Sequence, residues 1–410
     1  MTTAAPPTRR DIAYRGFHLP ADAAGGSGDG LRAGGRGLVL DGVAQRGTWT
    51  SPPVPVGFAV AEVVPSWTAD TPDGCWIEVE LRGWHDDAPS TDWYRLARWA
   101  ADDHTVRRTS LPGQRDSAAR VDTDTLLVTG ATVTGWQARV TLCRPAGSPT
   151  GPVLRSVGTG PVLRSVGTGP VLGSVGTGPV LRSIGAVATG PTPTDHGYER
   201  EPTSTAARGI VLDVPRYSQR LHAGQYPQWG GGGDSWCSPT CTSMVLAYWG
   251  AEPTPDRYAW VEPSGPRPVV VHAARHCYDH AYAGAGNWPF NTAYAGLHGV
   301  DAFVTRLRSL VEAEAFVAAG IPLIVSAAFR ADEVPGLGYD TGGHLMVLVG
   351  FTADGDPVLN DPYAPDDDAV RRTVPRRGFE AVWQRGSGGV AYVLRPESVP
   401  LPPPPAQANW

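Results

Sequence analysis

The chain has 410 residues, 41% of them hydrophobic and 18% charged, with a formal net charge of −6. That length suits two domains with linkers, and the apolar fraction is enough to build real cores. A pI near 5.9, 34 basic residues that are all Arg, and no Arg stripe interleaved with aromatics exclude a general nucleic-acid binder.

Residues 1–34 read as a flexible N-terminus. Met1 to Arg10 has basic residues but no apolar stretch behind them, so it is not a signal peptide. The chain as written is expected to be cytoplasmic, and extracellular if the true start lies upstream. Residues 35–150 read as an antiparallel β-sandwich that could act as a binding domain. Trp76 to Arg82 alternates apolar and polar, the period of a half-buried strand. Phe58–Val64, Thr125–Thr129 and Gln137–Leu142 are further strands, separated by Gly, Pro, Asp and Ser clusters. Residues 151–207 hold a repeat and a linker. Gly151-Pro-Val-Leu-Arg-Ser-Val-Gly-Thr159 recurs from Gly160, Gly169 and Gly178, four copies with a period of nine. One copy is expected to serve as the last strand of the sandwich and the others to be looped out, because surface insertions cost little.

Residues 208–396 change to an α+β pattern, and 397–410 form a Pro-rich tail. Cys237–Tyr248 reads as a helix ended by Gly250, with Met244, Val245 and Tyr248 facing inward. Val269–Tyr282 is a second helix. Ser309 with Glu312 forms a capping box for a third, closed by Gly320. Strands are expected at Pro322–Phe329, His344–Phe351, Pro357–Asn360 and Val390–Leu394. No run approaches the ~18 apolar residues of a membrane span.

The chemistry concentrates in this second half. Cys237 follows Gly230 to Gly233 and Asp234-Ser-Trp, at a helix start, where partial positive charge and free N–H groups favour thiolate. His344 follows two glycines at the start of an apolar strand and is the candidate general base. Asp361 is the candidate orienting acid, with Asn360 as an alternative in that role. Gln219, upstream, can donate to an oxyanion alongside the Cys237 N–H. Cys241 lies one turn into the helix and reads as core. The five Cys show no CxxC spacing, against a disulfide framework or a cysteine zinc site. His272, His276 and His280 share one helical face, but without HExxH or a further ligand they read as a packed or solvated face. No cofactor and no metal are expected. Trp229, Trp236, Trp249 and Trp288 suit either a peptide groove or a core. Gly230 to Gly233 lacks the Lys-Ser/Thr of a phosphate loop.

The segments VPRYSQ, DSWCSPTCTSMVLAYWG, GGHLMVLVGF and LNDPYAP resemble the peptidase C39-like family, closest to actinobacterial members with an N-terminal β-domain. The resemblance covers roughly 208 to 396. It implies a papain-like α+β fold and metal-free thiol catalysis, with Cys237 as nucleophile, His344 as base, Asp361 as orienting acid and Gln219 in the oxyanion hole. The leading reading is therefore a cysteine peptidase acting on a peptide or protein through an acyl-thioester. A second is a binding protein with a degenerate papain-like domain. There the sandwich recognises a glycan or cell-wall ligand through Trp84, Trp93 and Trp99. A third is an amidase or transpeptidase acting on cell-wall peptides.

Overall fold

The structure, a computed structural model, describes residues 10–72, 74–147, 178–192, 204–263 and 265–410. Period-two alternation governs its first half. In the strand Trp76–His85, Ile77, Val79 and Leu81 are fully buried. Glu78, Glu80 and Arg82 point to the opposite face, where Arg139 of the neighbouring strand clamps Glu80 through bonds of 2.6 and 2.9 Å.

Two antiparallel sheets result. One runs Ala119–Asp122, Thr125–Val128, Glu62–Asp70, Val180–Thr189, Gly37–Leu40, Leu31–Gly34, with Ile12–His18 also paired to Val180–Thr189. The other runs Thr109–Ser110, Tyr94–Trp99, Trp76–His85, Gly135–Cys143, Arg46–Thr50, Ser27–Asp29, flanked by the short strands Val54–Pro55 and Ala88–Pro89. The sheets pack face to face. Phe17 of the first meets Trp49 and Trp136 of the second edge-on, with ring centroids 5.5 and 6.3 Å apart.

Several expected boundaries move. The segment 1–34 is not simply a flexible lead: strands Ile12–His18, Ser27–Asp29 and Leu31–Gly34 belong to the sheets, because Ile12 and Phe17 are core residues. The sandwich does not close at 150. The fourth repeat copy supplies Val180–Thr189, which pairs with Ile12–His18, Gly37–Leu40 and Glu62–Asp70. The other three copies lie outside the described residues. The strand expected from Phe58 begins at Glu62 and runs to Asp70.

In the second half a six-stranded antiparallel sheet runs Asp301–Arg306, Val390–Arg395, Leu323–Phe329, Thr341–Phe351, Pro357–Asn360, Arg371–Thr373. Five helices accompany it: α1 Cys237–Tyr248, α2 Pro268–Cys277, α3 Trp288–Gly296, α4 Leu310–Ala318 and α5 Arg376–Ser387. The apolar run in strand 341–351 is continuous because both its faces are covered. Leu345, Val347 and Val349 join the core that holds α1, while Met346 and Leu348 join the core that holds Phe379, Val382 and Trp383 of α5. α1 is likewise buried all round, from Ser238 to Leu246. Two of its hydroxyls bond back into the helix, Thr242 and Ser243 donating to the carbonyls of Ser238 and Pro239.

The second helix stops five residues before the expected Tyr282. Asp279 ends it: its buried carboxylate collects the N–H groups of Ser110 and Ala281 and the Asn287 amide at 2.9–3.0 Å. That pulls the chain into a loop.

The two halves share one hydrophobic core. Phe290 of α3 inserts between Trp67 and Trp99, with ring centroids 6.1 and 5.3 Å away. Arg108, fully buried, reaches from the sandwich to the carbonyls of Tyr278 and Arg275 at 3.0 and 2.7 Å. The final segment folds back rather than trailing. Gln407 accepts from the Ile12 N–H at 3.1 Å. Asn409, fully buried, donates to the Arg306 carbonyl at 2.7 Å, and Trp410 meets Phe316 edge-on.

Candidate active site

Cys237 is the first residue of α1, and His344 is the fourth of strand 341–351, against which α1 packs. The imidazole of His344 acts directly on the thiol, and both line one cleft. The imidazole Nε2 lies 2.8 Å from Asp361 Oδ1, which leaves Nδ1 facing the sulfur. Asp361 follows Pro357–Asn360, the next strand in the sheet. Three members of the expected constellation thus meet through adjacent elements.

Asp361 is fully buried. Its Oδ1 also accepts the Tyr339 hydroxyl at 3.1 Å and the Tyr363 N–H at 3.0 Å, and Arg372 lies 3.4 Å from Oδ2. Burial pushes the carboxyl up, but His344, the Tyr363 N–H and Arg372 outweigh it and hold it below the usual range. Burial likewise opposes an imidazolium at His344, yet Asp361 and Cys237 prevail and push it up to about 9. At Cys237 burial raises the thiol. The bond and charge of His344, then the N–H groups of Leu345 and Ser238, more than offset that and bring the thiol below its ordinary value. Thiol down and imidazole up are the directions that favour a thiolate–imidazolium pair.

The neighbouring Asn360 points the other way, as alternation along a strand requires. Its amide donates to the Val214 and Pro215 carbonyls at 3.3 and 3.0 Å, and its oxygen accepts from Arg371. It binds the chain crossing the sheet and does not touch the imidazole. Cys241 is fully buried and donates to the Leu345 carbonyl at 3.3 Å. All five cysteines are free thiols.

Gln219 is 1% exposed and lines the same cleft as Cys237. Its side-chain Oε1 has no partner among the described residues. The glycine run explains its position. Gly230, Gly231 and Gly232 all have φ between 76° and 93°, a region other residues avoid. A Cβ on Gly233 would come within 2.4 Å of the Gln219 carbonyl. Gly342 and Gly343 differ from Gly233. A Cβ on either would meet nothing within 4 Å, so they leave the rim beside His344 open.

The cleft has a volume of ≈ 840 Å³ and is walled by both halves. The second half contributes Cys237, His344, Tyr282, Trp288 and Tyr339; the sandwich contributes Glu62, Asp122, Asp124 and Thr125. Sequence reasoning missed Tyr339, Tyr363 and Arg372 around Asp361. Tyr363 stood in the LNDPYAP segment, yet nothing in a single chain says that it faces the carboxylate.

The expected histidine face does not form. His280 lies beyond α2, while His272 and His276 stack with ring centroids 4.0 Å apart. His272 bonds Tyr294 and His276 bonds the His272 carbonyl; burial keeps both neutral. Among the described residues no group of His, Cys, Asp or Glu is set to hold a metal ion, and no helix is long and apolar enough to cross a membrane. Of the tryptophans, Trp236 and Trp99 are fully buried, so neither lines a surface groove. Trp99 packs on Phe290, which removes it from any sandwich binding face.

Two family models match the chain. Residues 17–160 match the peptidase C39 N-terminal domain of actinobacterial type, and residues 211–390 match the peptidase C39-like family. No curated protein matches. A crystal structure from Bacillus anthracis, assigned by its name to the C39-like peptidases, is 18% identical over 45% of this chain and 96% of its own. Its TM-score of 0.28 gives it no weight in the argument. With residues 17–160 and 211–390 inside the two matched segments, the protein belongs to the peptidase C39-like family, in the form that carries the actinobacterial C39 N-terminal domain.

Proposed function

We propose that the protein is a cysteine peptidase with a papain-like second half, in which a helix-borne thiol faces a strand-borne imidazole across a cleft. The observation that carries this reading is the chain of contacts from Cys237 to His344 to a buried Asp361. The Cys237 thiolate attacks a peptide carbonyl. The oxyanion is met by the Cys237 N–H at the helix start and by the Gln219 amide. His344 gives its proton to the leaving amine, which departs and leaves an acyl-thioester. A water then loses its proton to His344 and attacks the thioester, and thiolate and acid are regenerated. Asp361 keeps Nε2 protonated and Nδ1 aimed at sulfur.

The test is turnover of a quenched-fluorescent peptide library, with cleavage sites read by mass spectrometry, in the wild type and in Cys237→Ala. Loss of all cleavage in a variant that still melts cooperatively is expected. Cleavage that survives Cys237→Ala would sink the reading. An amidase or transpeptidase would differ in the mass of its products, a transpeptidase transferring the acyl group to an amine instead of water. The glycan-binding alternative retains Trp84 and Trp93, which stack with Arg82 on the outer face of the sandwich, and gains nothing from the thiol–imidazole contact.

A further inference from the structure

The sandwich is part of the wall of the cleft, and that wall has a chemical character. The turn between strands Ala119–Asp122 and Thr125–Val128 brings Asp124 into the cleft. Its carboxylate takes the Trp288 N–H at 3.0 Å and the Thr125 hydroxyl at 3.1 Å, and no side-chain cation contacts it among the described residues. Tyr282 is an unusually exposed aromatic, at 51%, lining the same cleft. Cys237 and Asp124 line that cleft too, and the Tyr282 phenol feels the charge of both. Burial pushes Asp124 up to about 6; Arg306 feels its charge but makes its direct ion pair with Glu62.

The cations near the cleft are engaged elsewhere. Arg306 pairs with Glu62 at 2.7 Å, Arg372 with Asp361 at 3.4 Å and Arg220 with Asp234 at 3.6 Å. What the wall offers a ligand is an acceptor and a π-face: Asp124 and the Tyr282 ring. An acceptor calls for a donor, and a ring beside a carboxylate calls for a cation.

We propose that Asp124 and Tyr282 form a subsite for a basic side chain, so that the preferred substrates carry Arg or Lys close to the scissile bond. The proposal rests on the peptidase reading. It makes the N-terminal half a determinant of specificity.

The experiment uses the full-length protein and paired quenched peptides that differ only in Arg against citrulline, its neutral isostere, at each position around the cleavage site. At the position that occupies the subsite, the Arg peptide should be favoured about 10- to 100-fold in kcat/KM. In Asp124→Asn that ratio should collapse to within about threefold of unity, and in Tyr282→Ala it should fall about 3- to 10-fold. Asp124→Asn risks misfolding because Trp288 and Thr125 bond the carboxylate. Tyr282→Ala, on an exposed ring, then decides. Equal rates for both peptides at every position, or a wild-type ratio retained in folded Asp124→Asn, overturn the subsite and leave the peptidase reading standing. A second readout needs no turnover: protection of Cys237 from iodoacetamide by argininamide against citrullinamide. Selective protection by argininamide without cleavage of any peptide overturns the peptidase reading and keeps the subsite.

Discussion

Replacing Asp361 with Asn tests the site at its hinge. The substitution keeps the shape of the side chain but removes the charge that, with Cys237, lifts the imidazole of His344 to about 9. A rise from the ordinary 6.5 to about 9 is worth roughly 3 kcal/mol, shared between the two partners. His344 is 4% exposed, so solvent screens little of it. The sign follows from linkage: a proton held more tightly in the native state stabilises it fully below pH ~6.5, and that contribution is lost as pH rises through about 9. With Asp361 neutralised, burial lowers the imidazole while Cys237 still raises it, so the two oppose each other and 6.5 serves as its value: at pH 8 a group with pKa about 9 is ~90% protonated, whereas one at 6.5 is only ~3% protonated. If turnover needs the imidazolium, kcat/KM at pH 8 should fall about 30-fold in Asp361→Asn, with a smaller loss at pH 6. NMR of protein labelled at the histidine ring carbons would follow the His344 titration directly. A midpoint unmoved in the variant, or activity at pH 8 within about threefold of the wild type, would refute the reasoning that Asp361 sustains the pair.

Three further outcomes are expected. Asn360→Ala should lower the free energy of unfolding by about 1–2 kcal/mol, read by urea titration, because it strands the Pro215 carbonyl and takes the acceptor from Arg371 Nε, while the Val214 carbonyl keeps Arg371. It should leave the His344 titration in place, separating the two neighbours in role. Cys241→Ala should cost about 1–2 kcal/mol as a small core truncation, with the rate of Cys237 alkylation unchanged. A rate that follows Cys241 would show that the wrong thiol has been assigned. Arg108→Met strips the Tyr278 and Arg275 carbonyls of their donor and should cost roughly 3 kcal/mol. In calorimetry the two halves should then unfold less cooperatively; a single unshifted transition would mean that the Arg108 bridge contributes little.

The site was legible where chemistry and local pattern coincide. Cys237 opens a helix whose bounds match the expectation, and His344 sits on, and Asp361 directly after, strands read from apolar runs. What was not legible depends on tertiary partners. The choice between Asn360 and Asp361 turns on strand parity relative to the cleft, which no single segment reveals. The early end of α2 is decided by Asp279, whose partner Ser110 lies 169 residues away. α3 announced itself faintly, through an Asn287 cap accepting from Phe290 ahead of a proline. Its apolar residues carry no clean period because it is buried between two halves. Strand Ile12–His18 was hidden because its hydrogen bonds go to a partner, Val180–Thr189, that lies beyond the repeats.

That partner strand carries a consequence for how the repeats can vary. Val180–Thr189 is bonded on both edges: Ala188 stands opposite Ala13 on one side and Val63 on the other. Were the chain to slip by one repeat, Thr177, Gly178 and Pro179 would arrive at the places of Ala186, Val187 and Ala188. Proline there would forfeit a ladder bond in the middle of a sheet, and glycine would vacate a core position filled by Val187. The first three copies all run into a Gly-Pro pair at this point, and only the fourth departs to Ala-Val-Ala. Copy number can therefore drift by duplication without confusing the fold, because the one divergent copy works as a registration mark: it alone can complete the sheet, wherever the others begin.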